Sequence, residues 1–213
     1  MNSLSTTTAA NATQGSAVHT LHGILEPEIN IAVQQRSVAH LEADLQVLLD
    51  QDFSLKSTGT SDEILATLRH HFAQFGRAES PVLTDVRDLL VVFGEITQAH
   101  EFRVLLSTVH NNMCRRFHTD INHLRMLCTY RGAGTLWVAE EEGSAGPQVF
   151  RDEDGIARPP EAAIRQAQAG DVLILKGALF PNGQPVMHRS PPIEDAGGVR
   201  LLLRIDTNER LFD

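Results

Sequence analysis

Residues 114–138 read CRRFHTDINHLRMLCTYRGAGTLWV, and the reading of this stretch decides both the architecture and the chemistry of the chain. Phe117 is followed by His118-Thr119-Asp120. In an extended backbone, side chains at i and i+2 project from one face, so His118 and Asp120 point to the same place and Thr119 points away. An imidazole and a carboxylate so placed form half a chelate, and a third ligand has to come from elsewhere. His188, in MHRSPP (187–192), is the best candidate. A lone H-x-D is a weak motif, because roughly one is expected by chance in a chain this rich in His and Asp. Its weight rests on the surrounding segments.

Working outward, the pattern around this stretch alternates with the period of strands. Phe102, Val104, Leu106 and Thr108 line one face of a strand beginning at 101. Residues 114–120, 124–130 and 135–138 read as further strands, with Arg131-Gly132-Ala133-Gly134 as a glycine-rich turn. Residues 139–160 are acidic and contain Gly and Pro, which predicts a mobile loop or irregular hairpin and a candidate lid. Pro159 and Pro160 precede a predicted short helix over 161–168, and Gly170-Asp171 turns into a strand over 172–176. The last two strands are predicted at 186–189 and 199–206.

Upstream the period is helical. Ile29, Ile31 and Val33 alternate in a short strand. Ser37 is placed to cap a helix running to about Asp50 through Val38, Leu41, Leu45 and Leu48. Thr60 and Glu63 have capping-box spacing, followed by Leu65, Leu68, Phe72 and Phe75, with Gly76 as the stop. Thr84 is the expected cap of a third helix that buries Val86, Leu89, Leu90, Phe93 and Ile96. Such stripes mean core packing. Residues 1–20 are rich in Ser, Thr, Ala and Asn and read as a disordered tail. The expected organisation is therefore a tail (1–20), a helical part (21–100) and a metal-binding jelly-roll part (101–213) forming one unit with the helices. The fold class is α+β, with helices packed on a C-terminal jelly roll. In a jelly roll, strands distant in sequence are neighbours, so His188 can face Asp120.

Composition narrows the function. A chain of 213 residues with a net charge of −9 does not offer the basic footprint of a nucleic-acid binder. No apolar run approaches the ~18–20 residues of a membrane span. The first residues lack the basic and apolar regions of a signal peptide. Two cysteines, Cys114 and Cys128, are too few for a disulfide framework, which favours a reducing, cytoplasmic setting. The expected partner is a small-molecule or protein substrate.

The order H-x-D (His118-Thr119-Asp120), Gly170-Asp171-Val172-Leu173-Ile174, His188 and then Arg200 resembles the Fe(II)/2-oxoglutarate-dependent oxygenases over roughly residues 100–206. The resemblance implies a double-stranded β-helix, a cupin-like form of jelly roll. It implies a facial triad of His118, Asp120 and His188 for Fe(II), with 2-oxoglutarate as cosubstrate held by Arg200. Arg204 shares the strand face of Arg200 and could take its place. In that superfamily the Arg is often followed two residues later by Ser or Thr, whereas position 202 here is Leu. The chain also resembles, over most of its length, an uncharacterised bacterial domain-of-unknown-function family with F-H-x-D, C-T-Y-x-G-x-G-T, G-D-V and H-R-S-P-P motifs.

Plainer readings stand beside these. His118 and Asp120 could form a structural hydrogen bond, and Arg200 could pair with an acidic neighbour. Arg125 and Tyr130 are pocket candidates with an alternative role in holding the sheet. Cys114, His118, Asp120 and His123 make a rival zinc set. Its spacing is not standard, and Cys114 and His118 would lie about 13 Å apart on one strand at ~3.3 Å per residue. Two function classes follow: an oxygenase that hydroxylates or demethylates an unknown substrate, or a non-catalytic cupin-like protein holding zinc or iron in metal homeostasis or sensing.

Overall fold

Alternation within the strands sorts the side chains of this chain into two hydrophobic layers, one on each face of a large sheet. The structure is a computed structural model and describes residues 9–140 and 150–208. In chain order the strands are β1 (Ala12–Gly15), β2 (Ile31–Gln34), β3 (Ser54–Thr60), β4 (Glu101–Val109), β5 (Leu124–Arg131) and β6 (Leu136–Val138). They continue as β7 (Phe150–Arg151), β8 (Ala157–Arg158), β9 (Ile164–Gln166), β10 (Val172–Lys176), β11 (His188–Arg189) and β12 (Arg200–Thr207). The helices are α1 (Glu42–Asp50), α2 (Ser61–Ala73) and α3 (Pro81–Thr97). A seven-stranded sheet has the order β1-β2-β10-β5-β12-β4-β3, a three-stranded sheet the order β11-β6-β9, and β7 pairs with β8. The result is an α+β fold.

β5 lies at the centre of the large sheet. Met126, Cys128 and Tyr130 on one face join the cluster formed by the helices through Leu45, Leu68, Phe72, Val86 and Phe93. Leu127 on the other face joins Leu173, Leu175, Leu202 and Trp137 in a second cluster, over which the small sheet lies. Burying each such side chain contributes roughly 1.5–3 kcal/mol. The candidate site sits at the edge of this second layer.

Helix signals were legible, with two shifts. Thr60 and Glu63 form the expected capping box on α2. Ser80, not Thr84, caps α3: its hydroxyl accepts from the Val82 N–H at 3.2 Å and Pro81 takes the first helical position. Ser37 accepts from the Ala39 N–H at 3.3 Å but caps no helix: the cap position of the 3-10 turn Ala39–Leu41 is Val38 and that of α1 is Leu41, neither with a side-chain bond.

Four strand-level expectations need correction. Of the predicted tail, residues 9–20 include β1, which pairs in parallel with β2, and Ala9 and Ala12 are buried; residues 1–8 lie outside the described residues. The boundary at 100 does not separate helices from strands, because β1, β2 and β3 complete the large sheet from the N-terminal side. The predicted strand over 114–120 is irregular, and only His118 pairs, in an isolated antiparallel bridge to His188. The predicted helix over 161–168 is one 3-10 turn (Glu161–Ala163) followed by β9, which pairs with β6; ladder bonds to β6 outweigh a weak local helix preference. The hairpin alternative expected for 139–160 is met by the pairing of β7 with β8, while residues 141–149 lie outside the described residues.

The turn after β5 shows why its glycine matters. Gly132 has φ +85°, and a Cβ there would collide with the carbonyl oxygen of Val199 and crowd Arg200. Gly132→Ala is expected to destabilise the fold by about 1–3 kcal/mol in chemical denaturation. An unchanged midpoint would mean that the turn relaxes freely.

Candidate metal centre and the cavity beside it

His118 and His188 are brought together by backbone. The His118 N–H donates to the His188 carbonyl at 3.0 Å and the His188 N–H to the His118 carbonyl at 2.9 Å. Directly paired residues share a face, and the two ring centroids lie 4.7 Å apart. Asp120 is fixed by its own carbonyl, which accepts from the Ala178 N–H at 2.8 Å just beyond β10. His118 and Asp120 therefore converge as expected, without the regular strand that the expectation assumed.

The imidazoles are oriented as ligands. Nδ1 of His118 lies 3.0 Å from the Arg116 carbonyl, and Nδ1 of His188 lies 3.2 Å from the Val186 carbonyl. A nitrogen facing a carbonyl must carry the proton, which leaves the lone pair on Nε2. Nε2 of His118 is 3.7 Å from Oδ1 of Asp120, and Nε2 of His188 is 3.4 Å from Oδ2. One ligand atom from each residue falls within 4.8 Å of the others. Burial lowers the pKa of His188, against the opposing charge of Asp120, and so favours the neutral, ligating form. Two imidazoles and one carboxylate on one side suit Fe(II) or Zn(II) and leave coordination positions open.

Asp120 has a further partner. Nη1 of Arg125 lies 2.7 Å from its Oδ2, while Nε of Arg125 donates to Oδ1 of Asp206 at 2.7 Å. The alternation of β5 turns Arg125 toward the triad, and that of β12 does the same for Asp206. The sequence pointed to Arg125 but gave no sign of Asp206, which pairs with it across the two strands.

A cavity opens beside the triad, lined by His118, His188, Leu127, Leu202, Arg200 and Arg204, among others. Arg200 is 1% exposed, yet its guanidinium has one hydrogen bond, from Nη2 to Oγ1 of Thr129 at 2.9 Å. Its Nε and Nη1 are buried without a partner, and burial pushes its pKa down to about 10. A buried, unpaired cation is costly, and a carboxylate in the cavity would relieve that cost. Arg204 shares the cavity but is more exposed, and its Nε is 3.2 Å from Asp206. Thr129 was missed by sequence reasoning. It stands directly across from Leu202 in the ladder, beside a register shift between Leu201 and Leu202.

Tyr130 does not belong to this cavity. One residue beyond Thr129, it faces the helices, where its hydroxyl donates to Asp85 at 2.6 Å, and Asp85 in turn holds Arg36. Alternation along β5 makes the two placements mutually exclusive. Cys114 lines the cavity wall, but neither it nor His123 joins the ligand cluster, so the rival zinc set does not assemble among the described residues.

Residues 15–206 match the profile of the family described as "Protein of unknown function (DUF1826)", and the chain belongs to that family. Among solved structures it is similar to a Pseudomonas putida prolyl-4-hydroxylase, at 11% identity and TM-score 0.44 over 88% of this chain and 96% of that one. It is also similar to a putative oxygenase from Shewanella oneidensis, at 14% identity and TM-score 0.42 over 94% and 90% of the two chains. A third similarity is to full-length Neurospora crassa T7H in complex with alpha-KG, at 14% identity and TM-score 0.35 over 83% and 62%. No curated protein matches the chain. No helix among the described residues is long and apolar enough to cross a membrane.

Proposed function

We propose that this DUF1826 member is a non-heme Fe(II)/2-oxoglutarate-dependent oxygenase that hydroxylates or demethylates a small-molecule or protein substrate. One observation carries the reading: a single cavity is lined by both histidines of a convergent His–Asp–His set and by a buried guanidinium with no acidic partner among the described residues. On this reading the two sheets form a double-stranded β-helix of cupin type, with β11-β6-β9 as its smaller sheet. His118, Asp120 and His188 would hold the iron through two Nε2 atoms and one carboxylate oxygen. Iron and 2-oxoglutarate bound together supply the oxidising power for C–H cleavage.

The chain's own residues do the rest. Nε and Nη1 of Arg200 are buried donors without an acceptor, and either can donate to a carboxylate in the cavity. Thr129 supplies the hydroxyl that the resemblance leads one to seek at position 202, from the neighbouring strand instead. Leu127 and Leu202 wall the cavity with apolar surface and limit water. Arg125, tied to Asp206, holds the Asp120 carboxylate in place. Arg204 provides a second, more exposed cation at the same cavity.

The test is anaerobic titration of the protein with Fe(II) and then 2-oxoglutarate, followed by visible charge-transfer absorption. A band that needs both additions is the expected result. Metal binding without such a band would sink the cosubstrate assignment and leave a metal-binding protein holding iron or zinc.

A further inference from the structure

Behind the paired histidines, on the other face of their bridge, the chain builds a second cleft. His118 pairs with His188, so Phe117 and Arg189 stand across from one another with their side chains turned the opposite way. The Arg189 guanidinium lies 5.0 Å from the centroid of the Phe117 ring. Around this pair lies a cleft of about 310 Å³, a volume at the lower end of small-ligand sites. Arg115, Arg116, Arg158 and Ile164 line it as well. Four of its nine lining residues are arginines and none is acidic.

The chain as a whole is acidic, with a net charge of −9, so this concentration of cations runs against its composition. Two of the four are already matched: Arg115 to Glu194 at 2.6 Å and Arg158 to Asp152 at 2.9 Å. Arg116 and Arg189 have no carboxylate partner among the described residues. Nε of Arg189 is buried without an acceptor, while its Nη1 reaches only the Arg115 carbonyl at 3.4 Å. Exposed arginines are hydrated at little cost, but a buried guanidinium nitrogen without an acceptor is not. Phe117, Ile156, Pro159 and Ile164 supply apolar surface beside the charges. Arg189 also lines the cavity beside the triad, so the two spaces meet at its side chain.

We propose that this cleft binds an organic anion, a carboxylate or phosphate joined to a flat apolar body, and that it anchors the substrate of the neighbouring metal centre. The anion takes the free donors of Arg116 and Arg189, and the body lies along Phe117 and Ile164. Only the word substrate rests on the oxygenase reading; the anion site stands without it.

The experiment is calorimetric titration of the full chain, without added metal, with benzoate, phenyl phosphate and the neutral benzamide. Benzoate or phenyl phosphate is expected to bind at least about tenfold more tightly than benzamide, and the stronger of the two tells carboxylate from phosphate. Arg116→Gln, at an exposed position, keeps the fold and is expected to weaken anion binding about tenfold. Arg189→Gln is expected to weaken it further. Arg87→Gln, on α3 and outside this cleft, should leave the affinity as in the wild type. Equal binding of benzamide, indifference to Arg116→Gln, loss of binding in Arg87→Gln, or no binding of either anion would each overturn the proposal. A missing iron and 2-oxoglutarate band would count against the oxygenase alone.

Discussion

Asp120→Asn is expected to cut Fe(II) affinity by at least about 100-fold, since losing even a residue that only orients a metal ligand typically costs 10–100-fold. The substitution keeps the shape of the side chain and removes its charge. The backbone bond from Ala178 N–H to the carbonyl of residue 120 survives it, so the loop should stay in place. Two effects then add. The metal loses its one anionic donor, and Arg125, 2.7 Å from that carboxylate in the wild type, becomes a nearby cation with only Asp206 to balance it. Competition against a chromophoric chelator under anaerobic conditions measures the loss, and circular dichroism checks the fold. Unchanged affinity would move the metal site away from His118, Asp120 and His188. Arg125→Met makes the informative contrast. It keeps all three ligands, so it is expected to cost less than Asp120→Asn, and a cost as large would make Arg125 essential for presenting the carboxylate.

These residues differ in how readily the sequence exposed them, and the differences have physical causes. The triad was legible because its members carry rare chemistry at a spacing that geometry interprets, and because Gly170-Asp171 and the strand after it fix where the chain returns. The helices were legible because caps and apolar stripes are local. β3 was not, since Ser54–Thr60 is an edge strand of alternating exposed and half-exposed residues whose ladder to β4 comes from across the sheet. The strand over 114–120 was over-read. Alternation is present, but only His118 joins a bridge while Cys114 and Asp120 make single bonds to Ser190 and Ala178, and a strand needs a ladder as much as the pattern. Tyr130 and Thr129 mark the sharpest limit. They are adjacent in sequence and on opposite sides of a sheet, and nothing local says which one faces the site. Thr129 and Asp206 act through partners on the paired strands β5 and β12, a relation set by register, including the shift between Leu201 and Leu202.

Arg200→Met is expected to do two things that a merely structural arginine would not combine. In the ligand-free protein, stability should hold or rise, by up to about 3 kcal/mol, because an uncompensated buried cation is replaced by an apolar side chain of similar reach. The sign follows from titration. Burial lowers the folded-state pKa to about 10, well below the ordinary guanidinium range, so the folded protein holds the proton less tightly than the unfolded chain. For a basic group this is a cost, present in full below about pH 10 and relieved only as pH rises through that value. The gain on substitution should therefore be constant through neutral pH. Thr129 loses its hydrogen bond in exchange, which subtracts about 1 kcal/mol. Cosubstrate binding should move the other way. Removing one partner of a buried charge pair costs about 2–5 kcal/mol, which is roughly a 30-fold to several-thousand-fold loss of 2-oxoglutarate affinity. Arg200→Lys, which keeps the charge but not the fork of donors, should fall between the two. Denaturant titration and 2-oxoglutarate titration of the same three proteins read both effects. If Met at position 200 destabilises the chain and leaves 2-oxoglutarate affinity intact, Arg200 is a structural residue, and Arg204, the other cation in the cavity, takes the cosubstrate role. If stability rises while affinity collapses, the buried charge is there for a ligand, because a fold has no other reason to keep a guanidinium it does not satisfy.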